Sequence, residues 1–408
     1  MAAAALPASV NVLGAAQKLR LAMMGVHGRG SALTRGFCQL DGVEIAYICD
    51  PDHRVLAPAA RIVTRSGRPA PRLVKDFRRA LDDASVDALV VATPNHWHAP
   101  ATILACHAGK HVYVEKPASH NPAEGEWMMA AAALNRRKVQ LGTQRRSLPR
   151  IIEAMKKLQA GELGKVTYAK AWYNASRGSI GHGREVPVPE WLDWELWQGP
   201  APERPYRDNV VHYNWHWFWH WGNGELGNNG VHALDICRWG LGVDFPRAVT
   251  SGGGRYAYHD DQESPDTQLV TFDFGDCLIS WEGQSCRKHG FEGMGFGAMF
   301  YGDRGTMLIT SSGYRLFDRA NKPAGEFNAP FSDRPHFQNF LDAIRNDVPL
   351  NAEIGIGHRS TLLCHLGNIA WRVGRTLHCD PATGRIRNDP EAAALWHRRY
   401  RPGWERLF

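Results

Sequence analysis

The chain predicts an α/β protein in two parts: an N-terminal doubly wound parallel sheet, then a C-terminal α/β domain with a large, mostly antiparallel open sheet. Three observations carry this expectation. Apolar runs alternate with helical stretches from residue 19 to about 140, the rhythm of βαβ units. The first run leads into a glycine turn, GVHGRG at 25–30. Beyond about residue 142 strand patterns predominate, joined by turn residues. The expected boundaries are 1–17 for a flexible arm or signal-peptide remnant, 18–141 for the first domain and 142–408 for the second.

The elements follow in order. The run 19–24 is apolar apart from Arg20, as a strand buried on both faces should be. A helix is expected over 31–40, a strand over 43–49 and a helix over 54–65. Leu73 and Val74 suggest a short strand, and 76–83 a helix. Strands at 86–91, 111–114 and 138–141 enclose helices at 98–108 and 121–135. A helix over 149–160 opens the second part, with Gly161 and Gly164 as its stop. Strands are expected at 166–173, 248–258, 267–274, 277–284, 295–301 and 306–310, the segment Phe274–Cys277 forming a hairpin. Helices over 335–346 and around 358–373 complete the domain, and the Pro- and Trp-rich 184–207 reads as an ordered loop.

Composition excludes several classes. A 408-residue chain with 44% hydrophobic and 22% charged residues has room for two cores. The net charge of +7 comes from scattered or paired basic residues, not from a block of the nucleic-acid-binding type, so no nucleic-acid partner is expected. No apolar run approaches the length of a membrane span. Eight widely spaced cysteines without a CxxC read as buried thiols, not as disulfides or a zinc site. The small-residue-rich 1–17 resembles the later part of a secretory signal without its basic start. A truncated signal would place the protein in the periplasm or outside the cell; a simple arm would leave it cytoplasmic.

Two segments carry the chemistry. Gly25, Gly28 and Gly30 let the backbone turn sharply and approach a pyrophosphate at a helix N-terminus. Asp50 follows the second strand, 20 residues past Gly30, where a carboxylate would accept hydrogen bonds from ribose hydroxyls. Asp50 could instead simply begin the Asp50-Pro51-Asp52 turn. An acid here favours NAD over NADP, which would bring a repelled 2′-phosphate; Arg54 keeps NADP as the minority option, and tight binding is open. The second segment is VYVEKP at 112–117, which sets Lys116 at a strand's C-terminal end. An ammonium there would hydrogen-bond a reacting hydroxyl and stabilise the developing alkoxide.

Glu115-Lys116-Pro117, with TPNHWH at 93–98, GTQRR at 142–146 and GELGKV at 161–166, resembles the Gfo/Idh/MocA family of oxidoreductases, relatives of glucose-fructose oxidoreductase and inositol dehydrogenase. The resemblance covers nearly all of the chain after residue 17. It implies a Rossmann dinucleotide domain, then a substrate domain whose open sheet often makes the oligomer contact, here a homodimer or homotetramer. The implied cofactor contacts are Gly25, His27, Gly28, Arg29, Gly30, Asp50, Thr93, Pro94, Asn95, His98, Glu115, Lys116 and Gln144. The family places a catalytic Asp and His four residues apart on a helix. In GELGNNGVHALDICRW at 224–239 His232 matches the histidine, but Asn228 stands where the aspartate belongs. Residues four apart share a helix face, so both can reach one pocket. An amide can hydrogen-bond a sugar hydroxyl but cannot take its proton; Asp235, three residues on, could orient His232 instead or merely pack the helix.

Lys116 and His232 are thus the expected catalytic pair, His232 as general base. The substrate contacts expected beside them are Arg145, Tyr173, Asn174, Tyr213, His216 and Asn228, with Arg177 and His182 as further candidates; Arg145 could equally reach the cofactor, whereas Arg146 reads as structural. The run HYNWHWFWHW at 212–221 reads as a pocket wall for sugar faces, or else as an aromatic core or interface. It holds no carboxylate, and the resemblance implies no metal. The expected activity is NAD-dependent hydride transfer to or from a secondary hydroxyl of a sugar, sugar derivative or cyclitol. The alternatives are a glycosidase that uses NAD for transient oxidation, elimination, hydration and re-reduction, and a non-catalytic dinucleotide-binding sugar sensor.

Overall fold

The computed structural model describes residues 18–407; the expected arm at 1–17, and the export reading that rests on it, lie outside them. The first sheet is built from β1 (Leu19–Met24), α1 (Gly28–Cys38), β2 (Val43–Cys49), α2 (His53–Arg65), β3 (Arg72–Val74), α3 (Arg78–Leu81), β4 (Ala88–Val91), α4 (His98–His107), β5 (His111–Val114), α5 (Pro122–Leu134) and β6 (Val139–Leu141). Its six strands are all parallel and run in the order β3-β2-β1-β4-β5-β6. The order reverses beside β1, which opens a crevice at the strand ends between β1 and β4. Helix α1 starts at Gly28, three residues earlier than its pattern suggested, because the last two glycines of the turn are already its first turn. The helix expected over 76–83 is a single turn, α3.

Helix α6 (Pro149–Gln159) leads into the second sheet. That sheet comprises β7 (Val166–Asn174), then, after α7 (Trp194–Gln198) and α8 (Val231–Leu241), the strands β8 (Ala248–Gly254), β9 (Thr267–Asp273), β10 (Leu278–Gln284), β11 (Phe296–Gly302), β12 (Gly305–Ile309), β13 (Tyr314–Asp318) and β14 (Pro323–Phe327). Helices α9 (Arg334–Asn346) and α10 (Ile354–Val373), the short β15 (Leu377–His378) and α11 (Pro390–Ala394) follow. The nine strands are ordered β14-β13-β12-β11-β7-β10-β9-β8-β15 and are antiparallel except for β10 against β7.

Three strands escaped the sequence pattern: β13, β14 and β15. Strand β14 starts on Pro323 and is largely exposed at the sheet edge, so it carries little apolar alternation. Strand β8 stops at Gly254, short of the expected 258, because the carboxylate of Asp266 draws the amides of Tyr256 and Ala257 into a loop. The 184–207 loop contains α7 and belongs to its own aromatic core with Trp194, Trp197, Tyr206, Trp215, Phe218 and Trp221. All eight cysteines are free and six are buried. Among the described residues no helix is long and apolar enough to cross a membrane.

Candidate active site

A cavity of about 500 Å³ opens where the first sheet's strand ends meet α8 and the aromatic segment. Its floor is the glycine turn. Gly25 has φ +80°, and a Cβ on it would crowd the Ala92 carbonyl; a Cβ on Gly30 would overlap the Gly25 carbonyl. Gly28, by contrast, faces open space at the start of α1, and the first turn of that helix carries no acid. Unhindered amides at a helix N-terminus suit a pyrophosphate. Beside them Asp50, almost fully buried, accepts the amides of Val26 at 2.8 Å and Asp52 at 2.9 Å. The donor set therefore fits a dinucleotide.

Burial raises the Asp50 carboxyl to about 6, against the two amide hydrogen bonds that favour its charged form. It consequently takes up a proton as the pH falls through 6, and both its hold on the turn and its capacity to accept hydroxyls weaken there. NADH affinity, followed by nicotinamide fluorescence, is expected to be several-fold weaker at pH 5 than at pH 8. Asp50→Asn should abolish most of that difference.

Arg54, the residue that kept NADP open, binds Asp52 through Nη2 at 2.8 Å and stacks 3.3 Å over Trp191. His212 also binds Asp52, at 2.8 Å, and stacks on His27 with ring centroids 4.7 Å apart. Both His27 and His212 line the cavity.

Glu115 and Lys116 extend from the end of β5. Glu115 pairs with Arg29 at 2.8 Å, and Arg29 reaches Asp333 at the same distance. Burial opposes the charge on Arg29, yet Glu115, then Tyr113 and Asp333, hold its guanidinium above the usual value. Glu115 thus braces the glycine-turn arginine instead of the Lys116 ammonium. Lys116 Nζ donates to the Asn228 backbone carbonyl at 2.8 Å and to Asn228 Oδ1 at 3.0 Å. Burial lowers the Lys116 ammonium below its ordinary range, partly offset by Glu115 and Glu225.

Asn228 lies in a π-helical turn over Leu226–Gly230, and His232 is in the first turn of α8. Both line the cavity, as their four-residue spacing suggested. His232 Nδ1 is buried without a hydrogen-bond partner. Burial, then the charges of Arg145 and Lys116, push the imidazole well below the ordinary histidine value, so the ring is neutral at pH 7.

Asp235 does not orient His232. It is committed to Arg146 in a bidentate pair at 2.8–3.0 Å and accepts Ser360 Oγ at 2.6 Å. Helix α8 turns Asp235 towards α10, where it meets the buried arginine. Arg146, read as structural, lies buried in this pair and does not line the cavity.

A residue without a sequence signal stands behind Asn228. Glu225 is buried and bound by Arg177 at 2.6 Å, and Asn228 Nδ2 donates to it at 3.4 Å. The amide is thereby fixed with its oxygen towards Lys116 and its nitrogen towards Glu225. An aspartate at 228 would face Glu225 charge to charge. Asn228→Asp is accordingly expected to lower kcat/KM about tenfold, with Asn228→Asp/Glu225→Gln recovering most of the loss. Steady-state kinetics of the two variants decides it.

Gly25, His27, Gly28, Arg29, Asp50, Thr93, Pro94, Asn95, Glu115, Lys116, Gln144, Arg145, Tyr213, His216, Asn228 and His232 all line the cavity. Six expected residues are not on its wall. Arg177 is bound to Glu225 behind it, and His182 is exposed and pairs with Asp261 at 2.9 Å. Gly30 is packed under Gly25. His98 is buried between the carbonyls of Pro117 (2.6 Å) and Thr93 (2.9 Å) and braces both strand ends from behind. Tyr173 lies under Arg177, and Asn174 is paired in the second sheet through its backbone amide. Of the aromatic run, His212, Tyr213, Trp215 and His216 face the cavity, whereas Trp217, Phe218 and Trp221 are buried. The run is therefore both wall and core. Among the described residues no cluster of three or more His, Cys, Asp or Glu could hold a metal.

Two family models match the chain. One, described as an oxidoreductase family with an NAD-binding Rossmann fold, covers residues 19–143; the other, the C-terminal alpha/beta domain of the oxidoreductase family, covers 164–300 and 313–406. A glycosyl hydrolase family 109 protein of Shewanella pealeana is 40% identical over 103 residues, which are 24% of this chain and 23% of that protein. The match thus spans less than a quarter of that curated relative. The aldose-aldose oxidoreductase of Caulobacter crescentus, solved with glycerol, superposes with a TM-score of 0.69 at 19% identity, over 89% of this chain and 100% of that one. A levoglucosan dehydrogenase solved with NADH gives 0.70 at 17% identity, over 89% and 99%. These two likenesses concern the fold.

Proposed function

The chain belongs to the Gfo/Idh/MocA oxidoreductase family, and from that premise we propose that it moves a hydride between a nicotinamide cofactor and a secondary hydroxyl of a sugar, sugar derivative or cyclitol. The observation that carries the reading is that Lys116 and a neutral His232 converge on the same cavity as the glycine turn and Asp50. NAD is the preferred cofactor, because Asp50 would repel a 2′-phosphate and Arg54 is already spent on Asp52. Bound there, the nicotinamide would accept or return the hydride. The protein's own residues do the rest. His232 takes the hydroxyl proton, using a ring whose Nδ1 has no partner in the protein. Lys116, steered by Asn228, donates a hydrogen bond to the same oxygen and stabilises its developing charge. Tyr213, Trp215 and His216 offer ring faces to the sugar. On β9, Leu269 is 58% exposed, which suits contact between copies through the second sheet; the mass in solution tests this.

A second reading has its own support. Asn228 stands where a proton-accepting acid would be expected, and the curated relative matched over 103 residues is named a glycosyl hydrolase. That chemistry would oxidise a sugar carbon, eliminate the aglycone, add water and reduce again, with no net change in cofactor. The test incubates the full chain with NAD, free sugars and aryl glycosides, following NADH and aglycone together. Stoichiometric NADH establishes the dehydrogenase. Aglycone release at constant NADH establishes the glycosidase. Sugar binding with neither signal across a broad panel would favour a sensor.

A further inference from the structure

We propose that the substrate carries a carboxylate, which Arg145 receives: the cavity is built for a sugar acid and not for a neutral sugar. This rests on the oxidoreductase reading of the same site. Glu115 and Asp333 are both paired with Arg29, Asp50 sits on two backbone amides at the glycine turn, and Lys116 is held on the two oxygens of Asn228 for the reacting hydroxyl. Arg145 is different. Its guanidinium lies flat on Phe296, 4.0 Å from the ring centre, and 5.9 Å from that of Phe331. Its Nε is buried without a partner, and among the described residues it makes no ion pair. Its neighbour Arg146, more deeply buried, has a bidentate aspartate.

A half-buried guanidinium whose Nε is sealed from water without a partner is costly to hold, and a ligand that pairs with it recovers that cost. Stacking on an aromatic face occupies the flat side of the group and leaves its N–H edge free, the edge whose fork matches a planar carboxylate. Burial lowers Arg145 to about 10, with Asp333 acting against the shift from beyond ion-pair distance; the cation persists at neutral pH.

The missing anion is not the cofactor's pyrophosphate. Arg145 follows β6, which is three strand spacings from β1 and its glycine turn, or roughly 14 Å. Arg145 instead lines the cavity with His232 and Lys116, and it is the foremost charge acting on His232. A carboxylate there would offset the charge that depresses His232 and so make the ring a better base once substrate is bound.

Binding to the NADH-loaded full chain is the test, read by tryptophan fluorescence and calorimetry. D-Glucuronate and D-galacturonate are compared with glucose, galactose and glucose 6-phosphate. Each uronate is expected to bind at least tenfold more tightly than its neutral sugar. Arg145→Met should bring that ratio to within threefold of one, and Arg145→Lys should retain part of it; NADH affinity in the same samples checks that each variant is folded. Equal affinities in the unaltered protein, an unchanged ratio in Arg145→Met, or a preference for glucose 6-phosphate over the uronates would overturn the proposal. NADH formation is scored separately. Uronate-selective binding without turnover leaves this inference standing while the redox reading fails, and turnover of neutral sugars without uronate preference does the reverse.

Discussion

Lys116→Met is expected to lower kcat by about 10²–10³ while leaving NADH affinity within a few-fold of the unaltered protein. The methionine fills similar space but offers no proton. In the structure the ammonium is held by two oxygens of a single residue, the backbone carbonyl and side-chain oxygen of Asn228. That arrangement fixes its position, and burial lowers its proton affinity, so it is suited to share a proton with a substrate oxygen. A donor poised at a developing alkoxide acts mainly in the transition state, which is why the loss should fall on kcat more than on KM. Single-turnover measurement of hydride transfer isolates the step. A Lys116→Met variant within threefold of the parent rate would remove Lys116 from the chemistry.

The second large effect is on stability. Asp235→Ala is expected to destabilise the protein by about 3–5 kcal/mol, the usual cost of stranding one half of a buried ion pair. Arg146 and Asp235 have side chains only 6% and 2% exposed, so water cannot replace the lost carboxylate. Ser360 joins the pair from α10, and Arg238 donates to the same hydroxyl at 3.0 Å. The network therefore ties three elements together: the 144–147 turn that carries Arg145, the helix that carries His232, and α10. Activity should fall along with the melting temperature. The double variant Arg146→Met/Asp235→Leu should recover most of the stability, because two apolar side chains leave no buried charge unpaired. Denaturant titration of the three proteins measures both. A loss below about 1 kcal/mol in Asp235→Ala would show that solvent reaches the site, since a fully desolvated pair costs more to break.

What could be read from the chain was what neighbouring residues encode together. Apolar runs located β1, β2, β4, β5 and β6 of the first sheet, because burial leaves a continuous apolar stretch that needs no distant partner to be recognised; the exposed edge strand β3 was read from Leu73 and Val74 alone. The glycine turn, the Glu-Lys-Pro segment and the Asn228–His232 spacing were legible for the same reason. Residues 313–327 were not: β14 is largely exposed, and the five-residue β13 buries only Tyr314 and Leu316 and pairs because β12 offers an edge.

The roles of individual charges were decided by the tertiary structure alone. Asp235 is three residues from His232 but serves Arg146, 89 residues away in sequence. Glu115 adjoins Lys116 yet serves Arg29, 86 residues away. Glu225 acquires meaning only when Arg177 and Asn228 meet it, and Arg145 only when no carboxylate does. Backbone periodicity is set by local hydrogen bonding and burial, so sequence records it directly. A buried charge is governed by whichever opposite charge the fold brings within about 4 Å, and sequence separation carries no record of that distance.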